Sequence, residues 1–256
     1  MNPRFALTSL VTALIACSGA DEPVDVTEYL AALDGTEGTL VTTALLALVA
    51  EPAGPAQTAD AVTAAISQRP PVDLQPAGCV RTGVEGPTVT YTFSECAGPY
   101  GLARMSGVIR ATYFDRSVQG WTVQVLGEVT LGRALHRTNL TAVVSYAEPR
   151  RTAMVTVSGN GTGPHDTSYA TSGGYTATWD ASCVGFDGTL MVAAGRLRLA
   201  VTPNKWQRCG GACPATDASL AVVGPLGAST ITASGGPTAR GTGPRGAATL
   251  PLFCDD

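Results

Sequence analysis

The fold is decided most clearly by the stretch WTVQVLGEVTL, residues 121–131, in which apolar and polar side chains alternate. Val123 and Val125 fall on one side of an extended chain, and Thr122 and Gln124 fall on the other. This separation arises because successive side chains of a β-strand point to opposite faces. The stretch therefore predicts a strand with one face in a core and the other face in water.

The same two-residue period recurs along the chain after residue 79. It is seen in the segments 88–93, 140–146, 153–157, 175–179 and 197–201. Turn residues separate these segments, at 85–87, 119–120, 159–161 and 187–188. Short alternating strands with such turns are typical of an antiparallel meander, closed as an up-and-down barrel or folded as a sandwich. The segment 217–256, rich in Gly, Thr and Pro, is expected to form shorter strands and loops that cover an edge. We therefore predict a mainly β domain over residues 79–256.

A helical segment, residues 25–70, is predicted to precede the β domain. Asp25 and Glu28 have the spacing of a capping box, which would open a short helix that Gly35 ends. The next stretch, TLVTTALLALVA at 39–50, has apolar residues at helical spacing. Its 12 residues are too few to span a bilayer, so we predict a second helix packed against the protein.

A third short helix completes this segment. Thr58 is placed to cap it, and Val62 and Ile66 lie at helical spacing behind it. Two consecutive prolines at 70–71 would end it. The Pro-rich residues 71–78 are expected to be a linker into the β domain.

Residues 1–16 have the build of an export signal. Arg4 precedes the apolar run FALTSLVTALIA at 5–16, which has 12 residues against the roughly 20 needed to cross a bilayer as a helix. The run leads into LIAC at 14–17. This motif resembles the lipobox of bacterial lipoproteins, which has a leucine three places before the cysteine and a small residue directly before it.

The resemblance implies a processing path that ends in lipid anchoring. The chain would be cut before Cys17, diacylglycerol would be attached to its thiol, and its amine would often be acylated as well. Two or three acyl chains, at about 0.8 kcal/mol per buried methylene, give stable anchoring. Residues 17–24 would be the lipidated tether, and Ser18 resembles the signal for outer-membrane sorting. The alternative is an ordinary secretory signal whose cleavage site contains a cysteine.

Cysteine counting supports this interpretation. Of seven cysteines, assigning Cys17 to lipid leaves an even set, namely Cys79, Cys96, Cys183, Cys209, Cys213 and Cys254. An even remainder in an exported chain predicts three disulfides, although six cysteines allow fifteen pairings. Local spacing favours Cys79–Cys96 across a hairpin, and Cys209–Cys213 is expected around the Gly-Gly-Ala turn. Cys183–Cys254 would then tie the C-terminus to the body. Half of a zinc site at the pair 209/213 is the alternative, but no second Cys or His pair accompanies it.

No residue set forms a catalytic, cofactor-binding or metal-binding signature. The chain has no Gly-x-Ser-x-Gly elbow and no phosphate-binding loop. His165 is interpreted as part of a solvated turn and His136 as part of a hairpin connection. The acidic candidates for paired-carboxylate chemistry are spread along the chain, at Glu128, Asp166, Asp180 and Asp187. We therefore expect no cofactor, and the sequence gives no positive sign of an enzyme.

Three functions remain open for the soluble portion. The first is a structural or interaction domain of the cell envelope. The second is a barrel that binds a lipid or small apolar ligand in a cavity lined by the 121–131 face. The third is a hydrolase, which would require His136 or His165 within hydrogen-bond reach of a carboxylate in a cleft. Nucleic acid is not an expected partner, because the net charge is −4 and Lys and Arg form no cluster.

The β segments have two further features. Residues 78–200 resemble in general style the uncharacterised lipoproteins of GC-rich bacteria, and this implies no activity. Strands of about 9 to 11 residues also suit a membrane-spanning barrel. Against that barrel stand the lipobox and the low aromatic content of 6%, which is little for the two interfacial girdles.

Overall fold

The computed structural model describes residues 25–50, 58–68, 74–117, 120–147 and 150–254. The predictions for the signal peptide 1–16, the tether 17–24 with Cys17, and the prolines at 70–71 lie outside these residues. The described residues form two α-helices, one short 3₁₀ turn at Pro99–Gly101 and fifteen strands.

The first helix, α1, spans Thr27–Ala50. Asp25 caps it as predicted, since its Oδ1 accepts a hydrogen bond from the backbone N–H of Thr27 at 3.0 Å. The second half of the capping box is missing: Oε1 of Glu28 is buried and has no partner among the described residues. The helix start is therefore fixed by one capping side chain and not by a reciprocal pair.

The prediction that Gly35 ends this helix is wrong. α1 continues through Gly35 and Gly38, so the first two predicted helices are one. A β-carbon at Gly35 would lie 2.6 Å from the side chain of Val192, and one at Gly38 would overlap the phenol oxygen of Tyr169. The two glycines thus let the sheet approach the helix closely, and this tertiary contact outweighs their local tendency to end helices.

The second helix, α2, spans Ala59–Gln68. Thr58 caps it as predicted, accepting a hydrogen bond from the N–H of Ala61 at 3.2 Å. Val62 and Ile66 are buried in the core. α2 is therefore an amphipathic helix packed on the sheet.

The strands follow in chain order. They are β1 Val80–Glu85, β2 Thr88–Cys96, β3 Met105–Tyr113, β4 Trp121–Leu131, β5 Ala134–Ala147, β6 Arg150–Thr162, β7 Ser168–Trp179, β8 Cys183–Asp187, β9 Leu190–Ala194, β10 Leu197–Asn204, β11 Gln207–Cys209, β12 Ser219–Gly224, β13 Gly227–Gly236, β14 Thr238–Gly243 and β15 Gly246–Pro251.

These strands form one antiparallel sheet. Chain neighbours pair throughout, except that β7 pairs with both β8 and β9, β10 pairs with β12, and β11 pairs only with β8. The predicted mainly β, antiparallel meander is confirmed. The closed barrel is wrong, because the sheet is not closed and its pairing path runs from β1 at one edge to β15 at the other.

The space that a barrel would enclose is occupied by α1. The helix contacts β5 to β10 and β12, and nearly all of its side chains are buried. By length and composition alone α1 could cross a membrane, but 94% of its apolar window is buried inside the protein. α1 is a core helix around which the sheet curves.

The clearest predicted strand is observed with its predicted ends. β4 runs from Trp121 to Leu131, and Val123, Val125 and Val129 on its inner face are buried. The predicted turn at 159–161 is wrong, since these residues continue β6 and pair with β5 and β7. The expectation that 217–256 covers an edge is also wrong, because β12 to β15 extend the sheet.

Three disulfides link all six predicted cysteines, but only Cys79–Cys96 follows the predicted pairing. The structure pairs Cys183 with Cys209 and Cys213 with Cys254. The reason is the β8–β11 pairing, which places Cys183 and Cys209 directly opposite each other with their Cα atoms 4.1 Å apart. Cys213 then reaches the C-terminal segment instead.

Candidate functional site

A cleft of about 420 Å³ opens at one end of the sheet. The β2–β3 connection, the β4–β5 turn, the β6–β7 loop and the C-terminal segment meet there. The side chains that give the cleft its chemical character are those of Glu37, Arg104, Arg133, His136, Arg208 and Phe253. A cavity of this size is in the range of small-molecule sites.

A buried carboxylate on α1 holds the β6–β7 loop beside this cleft. Oδ1 of Asp34 lies 2.5 Å from Nδ1 of His165, and the two carboxylate oxygens also accept backbone N–H bonds from His165 at 3.3 Å and Thr167 at 3.2 Å. The side chain of Asp34 is 0% exposed and that of His165 is 6% exposed. This is therefore a buried ion pair with additional hydrogen bonds.

The second ring nitrogen of His165 is also occupied. Nε2 lies 2.8 Å from the carbonyl oxygen of Pro251, at the end of β15. Since a carbonyl only accepts, Nε2 donates, and Nδ1 donates to Asp34 in the charged ring. Burial lowers the pKa of His165, but the hydrogen bonds to Asp34 and Pro251 and the charge of Asp34 outweigh burial, so the pKa is raised overall.

This geometry meets one condition set above for a hydrolase, a histidine within reach of a carboxylate. It lacks the property that a general base needs, because both ring nitrogens already donate hydrogen bonds. The Asp34–His165 pair therefore ties α1 to the β6–β7 loop and to β15. The prediction that His165 lies in a solvated turn is wrong for its side chain, which is buried by these contacts.

His136 lies inside β5, which corrects its predicted place in a hairpin connection. It is 1% exposed, pairs across the sheet with Val129 and Gly161, and lines the cleft. Its Nδ1 is 2.7 Å from the hydroxyl of Tyr169. Burial lowers the pKa of His136 to about 4 against the opposing charge of Asp34, so the ring is neutral near pH 7.

The proton positions of this pair follow from the available acceptors. Burial, and next the charge of Asp34, raises the pKa of Tyr169, so its phenol is protonated. Nδ1 of His136 is the acceptor within reach of that phenol among the described residues. Tyr169 therefore donates to Nδ1, and the neutral ring of His136 carries its own proton on Nε2.

Arg208 on β11 forms one wall of the cleft. Its guanidinium is paired with Glu37 of α1 and donates to the carbonyls of Tyr100 at 2.5 Å and Gly101 at 2.7 Å. Arg208 is 16% exposed on its side chain, so this is a partly buried and well-fixed ion pair. Through these contacts Arg208 holds the β2–β3 connection against α1.

Phe253 forms a second wall. The guanidinium of Arg133 lies 4.9 Å above its ring, and the ring of His165 meets it edge-on with centroids 4.9 Å apart. Phe253 is 51% exposed, and the neighbouring Cys254 is fixed by its disulfide to Cys213. An aromatic surface is thus held at the mouth of the cleft.

The acidic candidates from the sequence are not brought together. Glu128 pairs with Arg137 at 2.6 Å, and Asp166 lies 3.6 Å from Arg133. Asp180 accepts two backbone N–H bonds from the 182–183 turn, and Asp187 ends β8. The first three each serve a local contact, and no paired-carboxylate site is formed by these four acids.

The acid that matters here, Asp34, was missed by sequence reasoning. Its only signal is that it is one of three carboxylates, with Glu28 and Glu37, in a largely apolar helical segment. A carboxylate that such a helix buries needs a partner. Within the described parts of the chain, no group of three or more His, Cys, Asp and Glu side chains is placed to hold a metal ion. Cys209 and Cys213, the residues of the alternative zinc half-site, each form a disulfide and therefore have no thiol with which to bind zinc.

Comparison of the chain with protein-family models, with curated proteins and with solved structures finds no match, so the site is interpreted from its own geometry alone.

Proposed function

We propose that this protein is an exported lipoprotein, anchored to the bacterial cell envelope through lipid on Cys17, with a β domain that serves as a structural or interaction module. The observation that carries the proposal is the pairing of the other cysteines. Six of the seven are joined to one another in three disulfides, which leaves Cys17 as the remaining thiol.

The position of that remaining cysteine adds to the argument. Cys17 follows directly on the apolar run of residues 5–16, where a lipobox cysteine belongs. Three disulfides favour an oxidising compartment, and an apolar leader is the route to one. The tether 17–24 would then join the lipid to the capped start of α1 at Asp25, so that the β domain stands at the membrane surface.

The two alternative functions receive less support. An apolar ligand inside a barrel would need the space that α1 fills, and Val123, Val125 and Val129 lie in the shared core with that helix. A hydrolase would need a free base, whereas His165 donates from both nitrogens. A membrane-anchored structural or interaction domain requires neither an internal ligand cavity nor a free base, and we therefore favour it.

The proposal is tested by lipid labelling in a Gram-negative host. We expect the wild-type protein to incorporate labelled palmitate and to partition into the detergent phase. Cys17→Ser is expected to lose both properties, whereas the neighbouring Ser18→Ala keeps the label. Label retained by Cys17→Ser, or wild-type protein found unlabelled in the aqueous phase, would overturn the proposal.

A further inference from the structure

The cleft at the end of the sheet has a charge opposite to that of the whole protein. Its lining carries three arginines, Arg104, Arg133 and Arg208, and one carboxylate, Glu37, which gives a formal local charge of +2. The whole chain has a net charge of −4. A cationic concave surface on an acidic protein attracts small anions because low-dielectric walls focus the field.

The three arginines are not equivalent. Arg208 is committed to Glu37 and to two carbonyls, and Arg133 donates to the carbonyl of Pro164 and lies near Asp166. Arg104 has neither a hydrogen bond nor an ion pair with any residue that the structure describes. Its backbone has φ of 50°, a left-handed conformation that is uncommon outside glycine. Its guanidinium is thus available to a ligand.

His136 supplies a second, independent donor at the cleft. The ring is 99% buried, and its Nδ1 is engaged by Tyr169. The proton on Nε2 finds no acceptor within the described parts of the chain, although His136 lines the cleft. Nε2 is not among the buried polar atoms that lack a partner, so this donor is accessible from the cleft, where a bound acceptor can reach it.

The third component is apolar. Phe253 is half exposed and lines the cleft, and Leu131 and Pro164 line the same space. Arg133 lies over the Phe253 ring, which fixes that ring in place. A ligand with only a charge would leave this surface uncovered.

We propose that the cleft binds a small organic carboxylate with an aromatic body. The carboxylate accepts from Arg104 and from Nε2 of His136, and the aromatic body packs on Phe253. Carboxylate oxygens only accept hydrogen bonds, which matches a site whose free groups are both donors. This binding site is independent of the lipid anchor.

Isothermal titration calorimetry of the purified protein with phenylacetate tests the assignment. We expect saturable, one-to-one binding in the millimolar range or tighter. Phenylacetamide, which has the same shape without the charge, and inorganic phosphate, which has charge without the ring, are each expected to bind at least tenfold more weakly. Equal binding of either comparison compound would overturn the assignment of an aromatic carboxylate.

Variants locate the site. Arg104→Gln and Phe253→Ala are each expected to weaken phenylacetate binding at least fivefold, and Arg104→Lys to retain part of it. Arg240→Gln, an exposed arginine on β14 outside the cleft, is the matched control and keeps wild-type binding. Each variant is first checked for an unchanged thermal unfolding midpoint. No saturable phenylacetate binding, or full binding by Arg104→Gln, would overturn the proposal.

Discussion

The carboxylate of Asp34 and the imidazole of His165 meet at 2.5 Å although 131 residues separate them in the chain. Asp34 lies in the first half of α1, and His165 lies in the loop between β6 and β7. Their contact fixes the core helix to one end of the sheet, next to the arginine-lined cleft. Removing one member of a buried, hydrogen-bonded pair leaves the other charge without compensation.

Asp34→Asn is therefore expected to lower the free energy of unfolding by about 3–5 kcal/mol. Urea denaturation measures the change. The matched control is Asp166→Asn, because the Arg133–Asp166 pair is exposed on both sides, and we expect it to cost no more than about 0.5 kcal/mol. Equal effects of the two substitutions would show that the Asp34–His165 contact does not hold the helix.

The same pair predicts a pH dependence. The pKa of His165 in the folded protein lies above its ordinary value of 6.5, owing to the balance of burial, Asp34, Pro251 and Arg133. The stabilisation is therefore complete below pH 6.5 and is lost as the pH rises through the folded pKa. The unfolding free energy of wild type minus that of His165→Gln should be larger at about pH 6 than at about pH 9. A difference that grows with pH would contradict this assignment.

The pH dependence of stability that His136 contributes has the opposite sign to that of His165. Its folded pKa of about 4 lies below the ordinary 6.5, so the unfolded chain binds the proton more readily between these values. Relative to His136→Phe, the wild type should lose stability as the pH falls from 6.5 toward 4. A flat difference over that window would mean that the ring is not buried as the structure places it.

The glycines of α1 offer a test of the helix–sheet contact. In an exposed helix Gly→Ala stabilises by about 1 kcal/mol. At Gly38 the new methyl group would overlap Tyr169, so we expect Gly38→Ala to destabilise by about 1–3 kcal/mol. The penalty should shrink when Tyr169 is replaced by Leu. Gly83→Ala in β1, where the methyl group meets nothing within 4 Å, is the control and should change stability little.

The disulfide pairing can be read from a non-reduced tryptic digest. Cys209 and Cys213 fall on one peptide, 209–240, whereas Cys183 and Cys254 fall on 152–196 and 246–256. The observed pairing predicts that all three peptides are linked together. The pairing favoured by local spacing would instead release 209–240 alone and link the other two.

What the sequence could and could not reveal follows from the range of each interaction. β4 was predicted to its end residues because a two-residue period is a local property of the strand. The continuation of α1 through Gly35 and Gly38 was not predicted. These positions require glycine because Val192 and Tyr169, far along the chain, pack directly against them. Local rules favoured a helix end, and packing overrode them.

The candidate site was even less accessible to sequence reasoning. Its parts come from α1, strands β5 and β11, three inter-strand connections and the C-terminal segment, which only the completed sheet brings together. The disulfide partners show the same limit. Strands β8 and β11 pair outside the meander order, so cysteines that are close in sequence are not the ones that are close in space. The existence of three disulfides was predictable from an even count, but their partners were not.

The central claim is that one cysteine carries lipid and the remaining six are oxidised. Intact-mass analysis of the protein from its native membrane, before and after reduction, tests it most directly. We predict an acylated chain that begins at Cys17 and gains the mass of six hydrogens on reduction. A mature chain that begins elsewhere, or a thiol that can be alkylated before reduction, would contradict the account.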